Sequence, residues 1–326
     1  METNNKNIQW ITNTKGIAML FVITGHIVGG VVTSTIFLFH MPFFFILSGM
    51  LYSNKNTFRK YFSHKALKFF IPYIVFTLIF ISFEFIKLID TGNFSLVSMR
   101  DITYKNIYGG PLLSGWQSVF WFIPVFFISQ QIFSFLISKT SRISQYVVIT
   151  SMLILAYLDS YFFRVSTPFD TAVCLFAVPL IWFGYMLRNK IANFNSLLCI
   201  SILLFSVLTN YLYPSTLKLD MKYSFFGFPI VGIIISLCAT SLIIKISKTT
   251  YSCNDLISVF GERSMLIMYI HQYIIISIIG NSIKTPEFKV AITIAICYLF
   301  AKGIKCYEAS NFEKNKIILT LIKKAF

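Results

Sequence analysis

"MLFVITGHIVGG", residues 19–30, decides how the rest of the chain is read. It has the apolar density of a buried helix, yet it carries His26 among aliphatic and glycine neighbours. A second imidazole, His40, lies in "FLFHMPFFFILSGML", residues 37–51. Composition decides whether these runs belong to a protein core or to lipid. Of 326 residues, 56% are hydrophobic and 12% charged, and the mean hydropathy is +0.73. A soluble domain carries about 25% charged residues, so the medium around this chain is a bilayer.

Apolar runs long enough to cross ~30 Å of hydrocarbon as helices recur along the chain. They fall near 15–33, 36–53, 69–89, 118–138, 146–164, 171–188, 195–213, 224–246, 264–281 and 287–305. The expectation is an all-α, polytopic integral membrane protein of about ten helices, a single domain over residues 1–326. The first run lacks a clear small-residue cleavage site, so it reads as helix one and not as a signal peptide. With the N-terminus in the cytoplasm, only Lys87, Arg100, Lys105, Arg164, Lys218, Lys222, Lys284 and Lys289 of the 28 basic residues face outward. That is the bias of the positive-inside rule, and with an even number of spans it puts both termini in the cytoplasm. Topology thus accounts for most of the net charge of +16, and no nucleic-acid module or nucleic-acid partner is indicated. The longest extramembrane piece, residues 90–116, has room for a surface helix before the turns marked by Gly109-Gly110-Pro111 and Ser114-Gly115.

Six cysteines (174, 199, 238, 253, 297 and 306) form no CxxC pair, and four histidines form no HExxH, so no metal is expected. Ionisable groups inside a bilayer are costly and tend to be functional, which singles out His26. The bland alternative is an imidazole satisfied by a neighbouring helix. Lys15 lies eleven residues before His26, about 20° away round the helix and ~16 Å along it. On the same stripe are Met19 and Val22, and Gly25 with Gly29 makes a small-xxx-small pair suited to close helix approach. His40, next to Pro42, is expected just inside the start of helix two, either as an interfacial imidazole or as a substrate contact. Lys65 and Lys68, in the basic run "FRKYFSHKALKFFIPY" (58–73), suit anionic lipid or a phosphate clamp.

Set in order, "KGIAMLFVITGH" (15–26), "FHMPFFFILSG" (39–49), the basic-xx-basic pair before "IPY" (71–73), "VFWFIPVFF" (119–127), "PLIWFGYML" (179–187) and "FGERSMLIMYIHQ" (260–272) resemble the membrane-bound acyltransferase family 3. The resemblance implies acyl transfer from cytosolic acyl-CoA, commonly acetyl-CoA, to a hydroxyl of a surface polysaccharide or its lipid-linked precursor. It puts the family's helix-one basic residue on Lys15, its catalytic histidine on His26 and its cytoplasmic arginine pair on Lys65 and Lys68. Lysine meets phosphate as a point charge where arginine grips it in two places. Tyr269 and His271 fall in a further family motif; His271 is expected nearer the cytoplasmic half than His26, against acyl-CoA or packed. His26 would act as general base on the acceptor hydroxyl or as a covalent acyl relay.

Glu84 is the clearest acid inside a span, suited to orienting a histidine, to binding sugar hydroxyls or to an ion pair with a neighbouring helix. Trp121 reads as an interfacial belt residue or as a sugar platform. The expected setting is a bacterial inner membrane, with lipid, a saccharide acceptor and either a second copy or other polysaccharide-biosynthesis proteins as partners. The competing class is a transporter or flippase exporting a lipid-linked saccharide. It would favour internal repeats, of which there are none evident, and broken helices, for which Pro124, Pro179 and Pro229 are candidates. A non-catalytic membrane scaffold is the third reading. Replacing His26 by alanine distinguishes all three.

Overall fold

The computed structural model describes residues 2–53, 58–249, 255–280 and 282–310. Lys55, Cys253, Lys314, Lys316, Lys323 and Lys324, used above for charge and cysteine readings, lie outside these segments. The described chain is almost wholly helical. Its helices are α1 (Glu2–Ile27), α2 (Gly30–Phe37), α3 (His40–Met50), α4 (Phe58–Asp90), α5 (Leu96–Tyr108), α6 (Phe122–Lys139) and α7 (Arg142–Leu158). After them come α8 (Cys174–Leu187), α9 (Ser196–Leu212), α10 (Val231–Thr249), α11 (Asp255–Glu262), α12 (Ser264–Tyr273) and α13 (Pro286–Ser310). One antiparallel hairpin, β1 (Leu219–Asp220) with β2 (Phe225–Phe226), interrupts the helices between α9 and α10.

Seven stretches among the described residues are long and apolar enough to cross a membrane, fewer than the ten expected. Ser196–Leu212 and Ser264–Ile279 are apolar but shorter. Outward faces of α4, α7, α9 and α13 carry exposed side chains such as Leu78, Leu155, Phe205 and Leu299, as helices facing acyl chains should. α5 occupies the segment where a surface helix was expected, and Ser95 and Ser98 close a reciprocal cap at its start.

The first two predicted spans are built differently from the sequence reading. Helix one was expected to continue to residue 33, but α1 stops at Ile27 and the chain turns through Gly29 and Gly30, with φ of 79° and 56°. Gly29 has open space around its Cα, so it serves the turn and not a helix-packing seam. Thr33 repairs the break. Its hydroxyl donates to Gly25 O at 2.8 Å and accepts from Gly29 N–H at 2.8 Å, satisfying groups that the helix ends would leave bare.

Gly25 does pack closely, since a Cβ there would meet Ile36 Cγ2 of α2 at 2.8 Å, and backbone-to-backbone approach occurs elsewhere. A Cβ on Gly49 of α3 would meet Ile181 O at 1.8 Å, and one on Gly184 of α8 would meet Ile46 O at 2.0 Å. These two glycines let α3 and α8 touch backbone to backbone, the approach that stabilises helix pairs in lipid. Of the three prolines expected inside spans, only Pro179 lies well within a helix; Pro124 is in the first turn of α6 and Pro229 precedes α10.

Candidate active site

Three imidazoles meet where helices are interrupted. His26 is in the last turn of α1, His40 is the first residue of α3, and His271 lies just before α12 passes into a π-turn at Ile274–Ile279. Irregular turns free backbone groups, and side chains here take them up. His40 Nδ1 lies 3.1 Å from Ile36 O, one of the terminal carbonyls of α2. His271 Nδ1 lies 2.9 Å from Ile267 O. A carbonyl only accepts, so both rings carry their proton on Nδ1 and present a lone pair at Nε2.

The ring centre of His26 is 5.5 Å from that of His271 and 6.0 Å from that of His40. The His26 ring makes no hydrogen bond with the described residues, and the buried Nε2 of His271 likewise has no partner among them. His40 is the central residue of the apolar stretch Gly30–Met50, and its ring lies 6.0 Å from that of His26. His271 stands beside His26 in the same cavity. No group of three His, Cys, Asp or Glu side chains among the described residues has metal-holding geometry.

All three rings line one cavity of about 710 Å³. The same cavity reaches Lys15, Lys65, Lys68 and His64, and also Trp121, Asp220 and Lys222. Lys15 and His26 share α1, so the basic group and the imidazoles are ~16 Å apart along that helix. No ion pair engages Lys15, Lys65 or Lys68 within 4.0 Å among the described residues. Lys65 instead rests over the rings of Tyr61 and Phe69, each at 5.6 Å. Glu262 also lines this end, but it is already held by Lys305 at 2.7 Å. The basic end is therefore a cluster of cations without a direct carboxylate partner among the described residues, an arrangement suited to a polyanion.

At the other end the hairpin supplies Leu219, Asp220, Met221, Lys222 and Tyr223. Asn210, near the end of α9, donates to Thr35 of α2 at 3.3 Å, which ties the hairpin side to the C-terminal end of α1 and away from Lys15. Lys222 is 7% exposed, and its ammonium donates to Leu113 O at 2.5 Å. Burial pushes the Lys222 ammonium down to about 8, against the pull of Asp220 and Asp170. Burial raises the Asp220 carboxyl, opposed by Lys218 and Lys222.

Sequence reasoning passed over this hairpin as an outer loop. The signal was there: Leu217, Leu219 and Met221 alternate with Lys218, Asp220 and Lys222, the period of a half-buried strand. Trp121 is buried in the cavity wall, away from a lipid-facing belt. Glu84 is not among the residues that line the cavity; it accepts from Lys105 of α5 at 2.8 Å.

The arrangement joins a basic end, a cluster of imidazoles and a second polar end within one chamber. Comparison with known families gives it a place. A family model described as an acyltransferase domain, of the acyltransferase 3 type, matches residues 8–302. No curated protein and no solved structure matches the chain. The matched segment contains every cavity residue named above, and the chain belongs to the membrane-bound acyltransferase family 3.

Proposed function

We propose that this membrane acyltransferase moves an acetyl group from cytosolic acetyl-CoA to a hydroxyl of a surface saccharide, or of its lipid-linked precursor, in a bacterial inner membrane. The observation that carries the reading is a single cavity shared by His26 and by Lys15, Lys65 and Lys68. The CoA phosphates rest among the three lysines, and the pantetheine arm, extended, is about as long as the ~16 Å from Lys15 to His26. The bias of basic residues puts the lysine end of the cavity at the cytoplasmic face, and the hairpin end then faces outward.

His26 acts as the general base. It takes the acceptor's hydroxyl proton as that oxygen attacks the thioester carbonyl; the carbon–sulfur bond then breaks, and the proton passes from His26 to the leaving thiolate. A base must be unprotonated at working pH to take this proton. The Nε2 lone pairs of His40 and His271 accept hydrogen bonds from neighbouring hydroxyls of the sugar, which leaves the one proton of the reacting hydroxyl for His26. Trp121 offers the sugar a flat apolar face. Lipid and polysaccharide-assembly proteins are the expected partners.

The test follows CoA release by a thiol reagent from the purified protein. Release that requires both acetyl-CoA and a saccharide, with acetyl recovered on sugar oxygen, supports the reading. Saccharide transport by the reconstituted protein with no acetyl transfer would overturn it.

A further inference from the structure

Asp220 and Lys222 hold charge in a place where charge is costly, and the hairpin that carries them is firmly mounted. The Phe226 ring stacks on Phe176 at 4.5 Å between centres, and Phe226 N–H donates to Ser160 Oγ at 3.1 Å. Leu219 packs so tightly on α10 that a Cβ at Gly232 would come within 2.9 Å of its Cδ1. Such a mount fixes the two intervening side chains against the cavity and keeps them from swinging into bulk water.

The ammonium of Lys222 has three donors. One goes to Leu113 O, and the group also faces the Tyr223 ring at 5.1 Å. No carboxylate comes within 4.0 Å of it among the described residues. Donors remain for whatever enters the cavity. Two residues earlier, Asp220 lines the same wall with acceptor oxygens. A buried donor set and a partly buried acceptor set side by side call for a ligand whose groups both give and take hydrogen bonds.

We propose that Asp220 and Lys222 form the acceptor-binding pair and hold neighbouring hydroxyls of an uncharged sugar beside His26, an inference that rests on the acyltransfer reading above. One hydroxyl gives its proton to the Asp220 carboxylate, and the next takes a hydrogen bond from the Lys222 ammonium. The alternatives fit less well. An anionic sugar would meet Asp220 in the cavity wall and Asp170 behind Lys222, and an aliphatic alcohol would leave both charges without partners. The contrast with the basic end supports the assignment, since three unpaired lysines suit a polyanion and one acid beside one base suits a neutral polyol. Donor and acceptor then enter from opposite ends and meet at the imidazoles.

The experiment measures acetyl transfer by the purified full-length protein to p-nitrophenyl glucoside, galactoside and N-acetylglucosaminide as uncharged probes, and to p-nitrophenyl glucuronide as the anionic one. Acetyl-CoA consumption in water alone, with no glycoside, is the control for the acyltransfer reading. If wild type consumes no acetyl-CoA under any condition, that reading fails. If it does consume donor, the uncharged glycosides should be acetylated and the glucuronide poorly. D220N and K222M should each raise the acceptor KM about tenfold more than the donor KM, the loss expected for one charge-assisted hydrogen bond. K222R, which keeps the cation, should recover most of that loss. The melting temperature of each variant separates a binding defect from misfolding. Transfer to the glucuronide alone, no transfer to any uncharged glycoside while donor is consumed, or unchanged acceptor KM values in folded D220N and K222M would each overturn the assignment.

Discussion

Replacing Lys65 by glutamine should weaken the donor and leave the acceptor alone, and the structure sets the size of the effect. Lys65 is partly buried over Tyr61 and Phe69 and has no carboxylate within 4.0 Å among the described residues. Removing its charge therefore orphans no internal acid, and the change reports the ligand contact. A hydrogen bond to a charged group contributes about 1.5–3 kcal/mol, or roughly 10- to 150-fold in affinity. The basic end is open to solvent, which places Lys65 near the lower limit, at about tenfold. Lys68 is exposed, so its substitution should cost only about threefold. The assay compares donor KM for acetyl-CoA with that for S-acetyl-pantetheine, which keeps the thioester arm and lacks the nucleotide phosphates. Lys65→Gln should raise the first about tenfold and the second by less than twofold, and salt should narrow the difference. An equal rise for both donors, or none for either, would refute the phosphate assignment.

Gly184→Ala should disrupt the α3–α8 crossing, because the new Cβ would fall 2.0 Å from Ile46 O and the helices would have to part. Overpacking of this kind costs about 1–3 kcal/mol or more, and the loss should appear as a lower melting temperature and reduced recovery. Gly303→Ala, with nothing within 4 Å, is the neutral control. Thr33→Val should lower stability by about 1–2 kcal/mol through its two hydrogen bonds at the α1–α2 break, and lower kcat by disturbing the turn beside His26. Glu84→Gln should reduce stability by about 1 kcal/mol by leaving Lys105 unpaired, with kcat and both KM values within about twofold of wild type. Because the Lys222 pKa is lowered to about 8, its ammonium is charged below that pH and neutral above it. Acceptor KM should then rise as pH passes upward through about 8, and the rise should vanish in Lys222→Arg. Asp220, Tyr223, Asp170, Lys105 and His26 are the other ionisable groups facing Lys222, so the arginine variant is needed to assign the limb.

Much of this architecture was legible because lipid imposes long apolar runs, and length and composition alone reveal helices. The stripe linking Lys15 to His26 followed from helical periodicity, and both residues line the same cavity. What escaped was everything that depends on a helix ending early. Of the pair Gly25 and Gly29 read as a packing seam, Gly25 packs against Ile36 while Gly29 acts with Gly30 as a turn, and Gly49 with Gly184 makes a backbone-to-backbone crossing that a local reading did not single out. That His271 meets His26 was not legible, since nothing local fixes how α12 is set against α1. The Asp220–Lys222 hairpin was missed because its alternation is brief and lies between two much stronger helical signals. Long-range geometry decides these cases, and single-helix periodicity does not contain it.

The most direct measurement uses proteoliposomes with labelled acetyl-CoA outside only and an uncharged glycoside trapped inside. Wild-type protein should deliver label to the trapped sugar, and His26→Gln should reduce delivery by about 10²- to 10⁴-fold while donor binding is kept. Delivery by His26→Gln at the wild-type rate, or label on sugar only when both substrates share one compartment, would contradict a transmembrane transfer centred on His26.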